Sequence, residues 1–228
     1  MAKYYKHIHW LFIFIAICVP FGFRRYLLSL FGSHKELAVH IHAVLMAAWC
    51  VLLIMQPLLI RQKKFKTHRY IGKLSYAIVP LIVLSMLAMI RLSYIRGQEH
   101  LTEEQNLDSL LLPVSQLLLF ASYYALAMIK RKEVNLHMRF LIISSLTLLG
   151  PTIGRFDLSS FAVDLDMVNV SLSVMELLIV LLMILDYYYT KKIKVYLIAL
   201  ILFSLSHYAV YYLGTSYFWQ SFAKFITE

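Results

Sequence analysis

The chain has 228 residues, of which 61% are hydrophobic, and its mean hydropathy is +0.72. This apolar excess over the roughly half-apolar composition of soluble domains excludes an ordinary soluble catalyst and indicates one integral membrane domain, residues 1–228. The formal charge of +10 is spread through short loops, which favours contact with anionic lipid over nucleic-acid binding.

Seven apolar runs are long enough to be membrane spans, since a helix crosses the hydrocarbon core in about 20 residues. They are residues 8–23, 37–60, 70–92, 110–129, 137–154, 168–189 and 193–213. The first run follows a basic start but has no A-x-A cleavage site, so we interpret it as an uncleaved span. The sequence therefore predicts an all-α bundle of seven transmembrane helices.

The distribution of lysine and arginine predicts the orientation of this bundle. Of the 22 basic residues, 15 lie at one alternating set of span ends, beginning with Lys3 and Lys6. The poorer set contains Lys35 and the acidic loop 98–108. Because basic loops stay in the cytoplasm, the N-terminus is expected inside and the C-terminus outside a bacterial inner membrane.

Two basic loops lead in the same way to a histidine, an arginine and an apolar run that ends near a proline. The corresponding residues are His68, Arg69 and Pro80 in one loop, and His137, Arg139 and Pro151 in the other. If the two helical hairpins are related by an axis along the membrane normal, the histidines lie at matching depth. The simplest interpretation is that both are interfacial side chains bonded to loop carbonyls. The alternative is a shared ligand site.

Ionisable side chains inside the spans are functional candidates, because a charge within lipid costs about 3 kcal/mol or more. His42 enters from the predicted outer side and shares one helical stripe with Gln56. Glu176 and His207 lie at a similar depth, with Arg155 at the end of the fifth span. These residues predict an outer cluster, although a His–Glu hydrogen bond between helices would also satisfy them. A predicted inner cluster comprises His68, His137, Arg69, Arg139 and Asp186.

The spacing of these residues resembles a known family. The order is His42, Gln56, His68-Arg69-x-x-Gly72, His137-x-Arg139, Ser144 and Arg155. It is similar to the pattern of bacterial membrane proteins catalogued as domain of unknown function 2306. The resemblance covers residues 37–156 and departs at Phe140, where the family pattern has tryptophan. It implies a membrane fold without implying an activity, and it lends no support to Glu176 or His207.

The leading functional hypothesis is a haem- or quinone-linked redox protein. Haem b with two histidine ligands needs imidazoles on neighbouring helices and arginines for its propionates. The inner pair His68 and His137 has that composition, and His42 and His207 would hold a second haem. The candidate cofactor-binding residues are accordingly His42, His68, His137, His207, Arg69, Arg139, Arg155 and Gln56.

Two other classes of function stay open. A zinc-dependent membrane hydrolase would use His42, Glu176 and His207 as ligands around an open water position. A non-enzymatic protein would bind lipid or quinone, or assist the assembly of a respiratory complex. The only cysteines, Cys18 and Cys50, lie in apolar runs, which argues against a CxxC metal or redox motif.

Overall fold

A computed structural model gives the structure of the protein and describes Tyr5 and residues 7–29, 36–156 and 165–227. Over these ranges the chain forms helices and no strand. The helices are α1 (His9–Gly22), α2 (Arg24–Ser29), α3 (Leu37–Arg61), α4 (Phe65–Gly72), α5 (Ser75–Gly97), α6 (Glu103–Ser109), α7 (Leu111–Ile129), α8 (Val134–Leu146), α9 (Leu149–Ile153), α10 (Met167–Thr190), α11 (Lys194–Tyr212) and α12 (Tyr217–Thr227). The prediction of an all-α fold is confirmed.

Six helical segments of the described chain are long and apolar enough to cross a membrane. They are Leu37–Arg61, Phe65–Gly97, Glu103–Ile129, Val134–Ile153, Met167–Thr190 and Lys194–Tyr212. The remaining predicted span, residues 8–23, corresponds to α1, which has 14 residues. At 1.5 Å per residue it is about 21 Å long, shorter than a hydrocarbon core of about 30 Å.

The central element of the bundle is the α8–α9 segment. In its most apolar 18-residue stretch 61% of the residues are buried, whereas in the corresponding stretches of α3 and α11 only 17% are buried. Helices α7, α10, α1 and α11 pack around it. Ser144 and Ser145 are fully buried there, and the Ser144 hydroxyl donates to the carbonyl of Phe120 on α7 at 3.1 Å. Small hydroxylated residues let helices approach closely and bond across the contact, which explains why the least apolar span lies innermost.

Helix α1 runs antiparallel to α3 along the bundle. Near its start, His9 Nε2 lies 3.3 Å from Arg61 Nη1 at the end of α3. At its end, Gly22 meets α9, where a Cβ would lie only 2.2 Å from the carbonyl oxygen of Thr152. A glycine is therefore required at this contact. The two contacts place α1 against the end of α3 and against α9.

The two ends of the bundle differ in charge. The end that contains residues 61–73, 130–139 and 191–194 is called the basic end. The other end, which contains Gly97, Arg155 and Asp166, is called the opposite end. Lys3, Lys6 and Lys35, which enter the predicted charge count, lie outside the described residues.

A small second core closes the opposite end. Helix α12 packs on α6, and the Trp219 indole donates to the carbonyl of Leu107 at 2.8 Å. Lys224 pairs with Glu103 at 2.9 Å, and Thr102 begins α6 with a capping box. These contacts hold the amphipathic α12 across the ends of α5 and α7.

Candidate functional sites

Arg139 and Asp186 form a buried ion pair at the basic end, joining α8 to α10. Arg139 Nε donates to Asp186 Oδ2 and Nη2 donates to Asp186 Oδ1, both at 2.8 Å. The two residues are 3% and 1% exposed. A bidentate pair of this kind is geometrically specific, and at this burial either charge would be costly without the other.

Hydroxyl groups complete the surroundings of this pair. Thr190 Oγ1 accepts from Arg139 Nη2 at 3.3 Å and lies 3.1 Å from Asp186 Oδ1. The Tyr5 hydroxyl donates to Asp186 Oδ1 at 3.4 Å and lies 3.3 Å from the hydroxyl of Tyr196 on α11. The residues preceding α1 thus reach the ion pair, so that the site joins four parts of the chain.

His68 is held by Gln56, which explains two residues of the predicted motif together. With its amide oriented to satisfy both neighbours, the Gln56 nitrogen donates to the His68 carbonyl at 3.2 Å and to His68 Nδ1 at 2.5 Å. The Gln56 oxygen accepts from the Gly72 backbone N–H at 3.2 Å. Gln56 therefore ties the short α4 to α3. Arg69 is exposed, and its Nε donates to the carbonyl of Phe65 at 3.4 Å.

His137 caps the end of α7. Its Nδ1 lies 2.8 Å from the carbonyl oxygen of Ala127, so the ring carries its proton on Nδ1 and donates it. The last carbonyls of a helix have no partner within the helix, and His137 supplies one for Ala127. This is the bond to a carbonyl that the simpler interpretation of the sequence predicts. His137 also lies close enough to His68 for the two rings to interact electrostatically.

The predicted outer cluster is only partly assembled. His207 Nδ1 lies 3.2 Å from Glu176 Oε1, and its Nε2 lies 3.1 Å from Asn169 Oδ1. His42 has a different partner, since its Nδ1 lies 2.9 Å from the hydroxyl of Ser85 on α5. The structure thus joins Glu176 to His207 as a bridge between α10 and α11, while His42 bridges α3 and α5.

Arg155 lies close enough to His42, as predicted for the outer cluster, for the two side chains to interact electrostatically. Its Nη1 donates to the carbonyl of Pro151 at 2.7 Å, and its guanidinium carbon lies 5.0 Å above the ring of Phe23. These contacts hold the end of α9 against the turn between α1 and α2. They give Arg155 a structural role in addition to its interaction with His42.

Within the described ranges, no group of three or more His, Cys, Asp or Glu side chains is close enough to hold a metal ion. The predicted zinc set is therefore wrong as a cluster: two of its members pair and His42 does not join them. Asp186 binds the Arg139 guanidinium in a bidentate manner through Nε and Nη2, so only its Nη1 is left for the predicted contact with a haem propionate.

A polar contact at the opposite end joins the start of α10 to α11. Asp166 caps α10 by accepting from the backbone N–H groups of Val168 at 3.0 Å and Asn169 at 3.1 Å. The Tyr211 hydroxyl also donates to its carboxylate. This hydroxyl, together with the two N–H groups, lowers the pKa of Asp166 below its usual value.

Some residues of these sites were not predicted from the sequence. Tyr5, Tyr196, Thr190, Ser85 and Asn169 are the partners that were missed. Two signals are available: Thr190 follows Asp186 by four residues on one helix face, and Asn169 precedes Glu176 by seven residues on the same helix. The others lie on different helices, and a single sequence does not specify which helices are neighbours.

The apolar helices and the composition fit a multi-pass α-helical membrane protein. No family model, no curated protein and no solved structure matches the chain. The resemblance to domain of unknown function 2306 therefore stays a prediction.

Proposed function

We propose that the protein is a seven-span protein of the bacterial cytoplasmic membrane that binds a redox cofactor, haem b, between His68 and His137. The charge bias of the span ends supports a cytoplasmic N-terminus and an external C-terminus. The packing of α1 against α3, with one end at Arg61 of α3 and the other at Thr152 of α9, supports counting α1 as an additional span.

The observation that carries the redox proposal is the way the His137 imidazole is held. His137 donates through Nδ1 to a backbone carbonyl, which leaves the lone pair on Nε2 for a ligand. Histidines that bind metals are characteristically oriented by such a bond at the other ring nitrogen. His68 is held differently: its Nδ1 accepts from Gln56, so the neutral ring carries its proton on Nε2. Ligand binding at His68 Nε2 would require the proton to move to Nδ1 and the Gln56 amide to turn so that its oxygen accepts that proton.

The chemistry at the basic end also suits a haem. Two neutral imidazoles from separate elements are the axial ligands of b-type haem. Arg69 is exposed beside His68 and keeps guanidinium donors for a propionate, whereas Arg139 uses its Nε and Nη2 to bind Asp186. Bound haem would supply one-electron chemistry, and the protein would supply the two imidazoles and the orientation.

The test is the absorption spectrum of protein purified from haem-replete cells. We expect a Soret band that is lost in His68→Asn and in His137→Asn. Asparagine retains a polar group at the Nδ1 position, so it preserves the contacts to Gln56 and Ala127 while it removes Nε2. His100→Asn is the matched control, since His100 is exposed in a loop at the opposite end.

A wild-type protein without a Soret band would overturn the haem proposal, as would an undiminished band in both asparagine variants. Analysis of an organic extract of the same sample identifies a bound quinone, which would transfer the redox role to that class of cofactor. Circular dichroism and gel filtration of each variant establish that the loss of a band is not a loss of fold.

A further inference from the structure

A cleft opens at the basic end directly beside the buried ion pair. Its volume is about 520 Å³, within the range of small-molecule sites. It lies between the start of α8 and the turn that joins α10 to α11. The side chains that matter for its chemistry are Asn135, Arg139, Asp186, Lys191, Lys192 and Lys194.

The inner wall of the cleft contains a rigid donor. Arg139 is only 3% exposed. Its Nε and Nη2 both donate to Asp186, and Nη2 also donates to Thr190. Its Nη1 makes no hydrogen bond within the described part of the chain. Because the bidentate pair fixes the plane of the guanidinium, Nη1 offers two N–H donors in a fixed direction.

Two helix N-termini meet at the same cleft. Residues 134–136 at the start of α8 and 193–195 at the start of α11 both line it. Neither helix has a side-chain cap or an acidic residue in its first turn. The first N–H groups of a helix have no partner within the helix and attract anions, so both helix ends favour negative charge here.

The rim of the cleft is cationic. Lys191, Lys192 and Lys194 fall within four residues at the turn after α10. Both acidic side chains among the described lining residues already have cationic partners, Glu133 with Lys130 at 2.8 Å and Asp186 with Arg139. The cleft therefore carries a surplus of positive charge with no acid left to neutralise it.

The surroundings indicate a ligand from the bilayer. Tyr187 and Tyr188 are exposed on the last turns of α10, next to the cleft, and such tyrosines mark the headgroup level of a membrane. Just before Asp186 on the same helix, Ile184 and Leu185 are exposed. A headgroup in the cleft would thus have apolar helix surface beside it for the acyl chains.

We propose that this cleft binds the phosphate of an anionic phospholipid headgroup. The Arg139 Nη1 group and the two helix N-termini contact the phosphate oxygens, and the three lysines neutralise its charge. The phosphate site does not depend on a haem, so the experiments that test it are independent of those that test the proposed redox function.

The experiment measures phospholipid bound to the purified protein in a neutral detergent, by native mass spectrometry during titration with phosphatidylglycerol. The test variant is Lys192→Gln/Lys194→Gln. The matched control is Lys64→Gln/Lys66→Gln, which removes two charges from exposed lysines at the same end but away from the cleft. A neutral detergent removes the general attraction to a charged surface, so that only site-specific binding is measured.

We expect the affinity of the test variant to fall about thirty-fold, because each lysine near an anionic lipid is worth roughly a factor of five. The control is expected to stay within about two-fold of the wild type. Equal losses in both variants would overturn the proposal in favour of diffuse charge attraction. Phosphatidylcholine binding as tight as phosphatidylglycerol would also overturn it.

A second arm separates a lipid from a soluble ligand. Inorganic phosphate is titrated against the phosphatidylglycerol complex and, separately, against the lipid-free protein. Failure of millimolar phosphate to displace the lipid supports the membrane source. Displacement, together with thermal stabilisation of the lipid-free protein by phosphate alone, would overturn the lipid assignment and identify a soluble phosphate compound as the ligand.

Discussion

The buried ion pair makes a prediction in which each single variant loses much more stability than the double variant. Replacing Asp186 by leucine leaves the Arg139 guanidinium without its bidentate partner in a region where the residue is 3% exposed. Removing one member of a buried pair typically costs about 3–5 kcal/mol, since the other charge stays buried. Arg139→Met strands the Asp186 carboxylate in the same way.

The double variant Arg139→Met/Asp186→Leu removes both charges and leaves apolar side chains between α8 and α10. Replacing a whole buried pair by apolar groups is often neutral or stabilising, so we expect the double variant within about 1.5 kcal/mol of the wild type. Each single variant should lower the melting temperature by on the order of 10 °C for a chain of this size. The interaction energy from the cycle would then be several kcal/mol.

The assay is thermal or denaturant unfolding in one detergent, followed by circular dichroism. Lys224→Met is the control, because it breaks the exposed pair with Glu103, whose side chains are 53% and 61% exposed. A pair of that kind is worth less than about 1 kcal/mol. Single variants of the buried pair that unfold like this control would refute the argument that Arg139 and Asp186 depend on each other.

Two other predictions concern glycine and pH. Gly22→Ala should destabilise the protein by about 1–3 kcal/mol, because its Cβ would lie 2.2 Å from the Thr152 carbonyl oxygen. Gly72→Ala is the control, with its nearest atom 3.6 Å away, and should be neutral or stabilising in thermal unfolding. Asp166 has a lowered pKa in the folded state, so it stabilises the fold above the ordinary carboxyl pKa, and this contribution is lost as pH falls through the folded-state pKa. Tyr211→Phe should flatten that acid-side loss in a stability–pH curve, and an unchanged curve would contradict the assignment.

The spans were predictable because their length and apolar character are local properties of the chain. The sixth predicted span, 168–189, agrees with the observed Met167–Thr190 to within one residue at each end. The third begins earlier than predicted, because Phe65–Gly72 forms a short helix before the apolar run starts. The basic residues in this stretch obscure that helix in a search for apolar runs.

The partners of the polar side chains were not predictable to the same extent. Periodicity predicts which face of α3 carries His42, but it does not predict that α5 brings Ser85 to that face. The sequence analysis grouped His42 with Glu176 and His207 because the three residues have a similar predicted depth. Depth does not predict which helices are neighbours, and His42 bonds to α5 while Glu176 and His207 bridge α10 and α11. Depth succeeded for Glu176 and His207 because α10 and α11 are consecutive and pack as a hairpin.

Helix α12 was missed for a different reason. Its 11 residues are too few to cross a membrane, and its apolar side chains recur at helical spacing so that they lie on one face. A search for spans therefore passes over it. Its anchor is a single indole, Trp219, bonded to the carbonyl of Leu107, which lies 112 positions earlier in the chain. Contacts of that separation are set by the packing of the whole bundle.

The motif His137-x-Arg139 can now be understood from helix geometry. Residues two apart on an α-helix point about 200° away from each other, so the two side chains face nearly opposite neighbours. His137 turns to α7, where it bonds the Ala127 carbonyl, and Arg139 turns to α10, where it binds Asp186. One short sequence at the start of the central segment thus fixes the helices on both of its sides. The same two residues belong to the two candidate sites. His137 is part of the imidazole pair, and Arg139 lines the phosphate cleft. The contacts that hold α8 against α7 and α10 therefore also fix the positions of these two side chains.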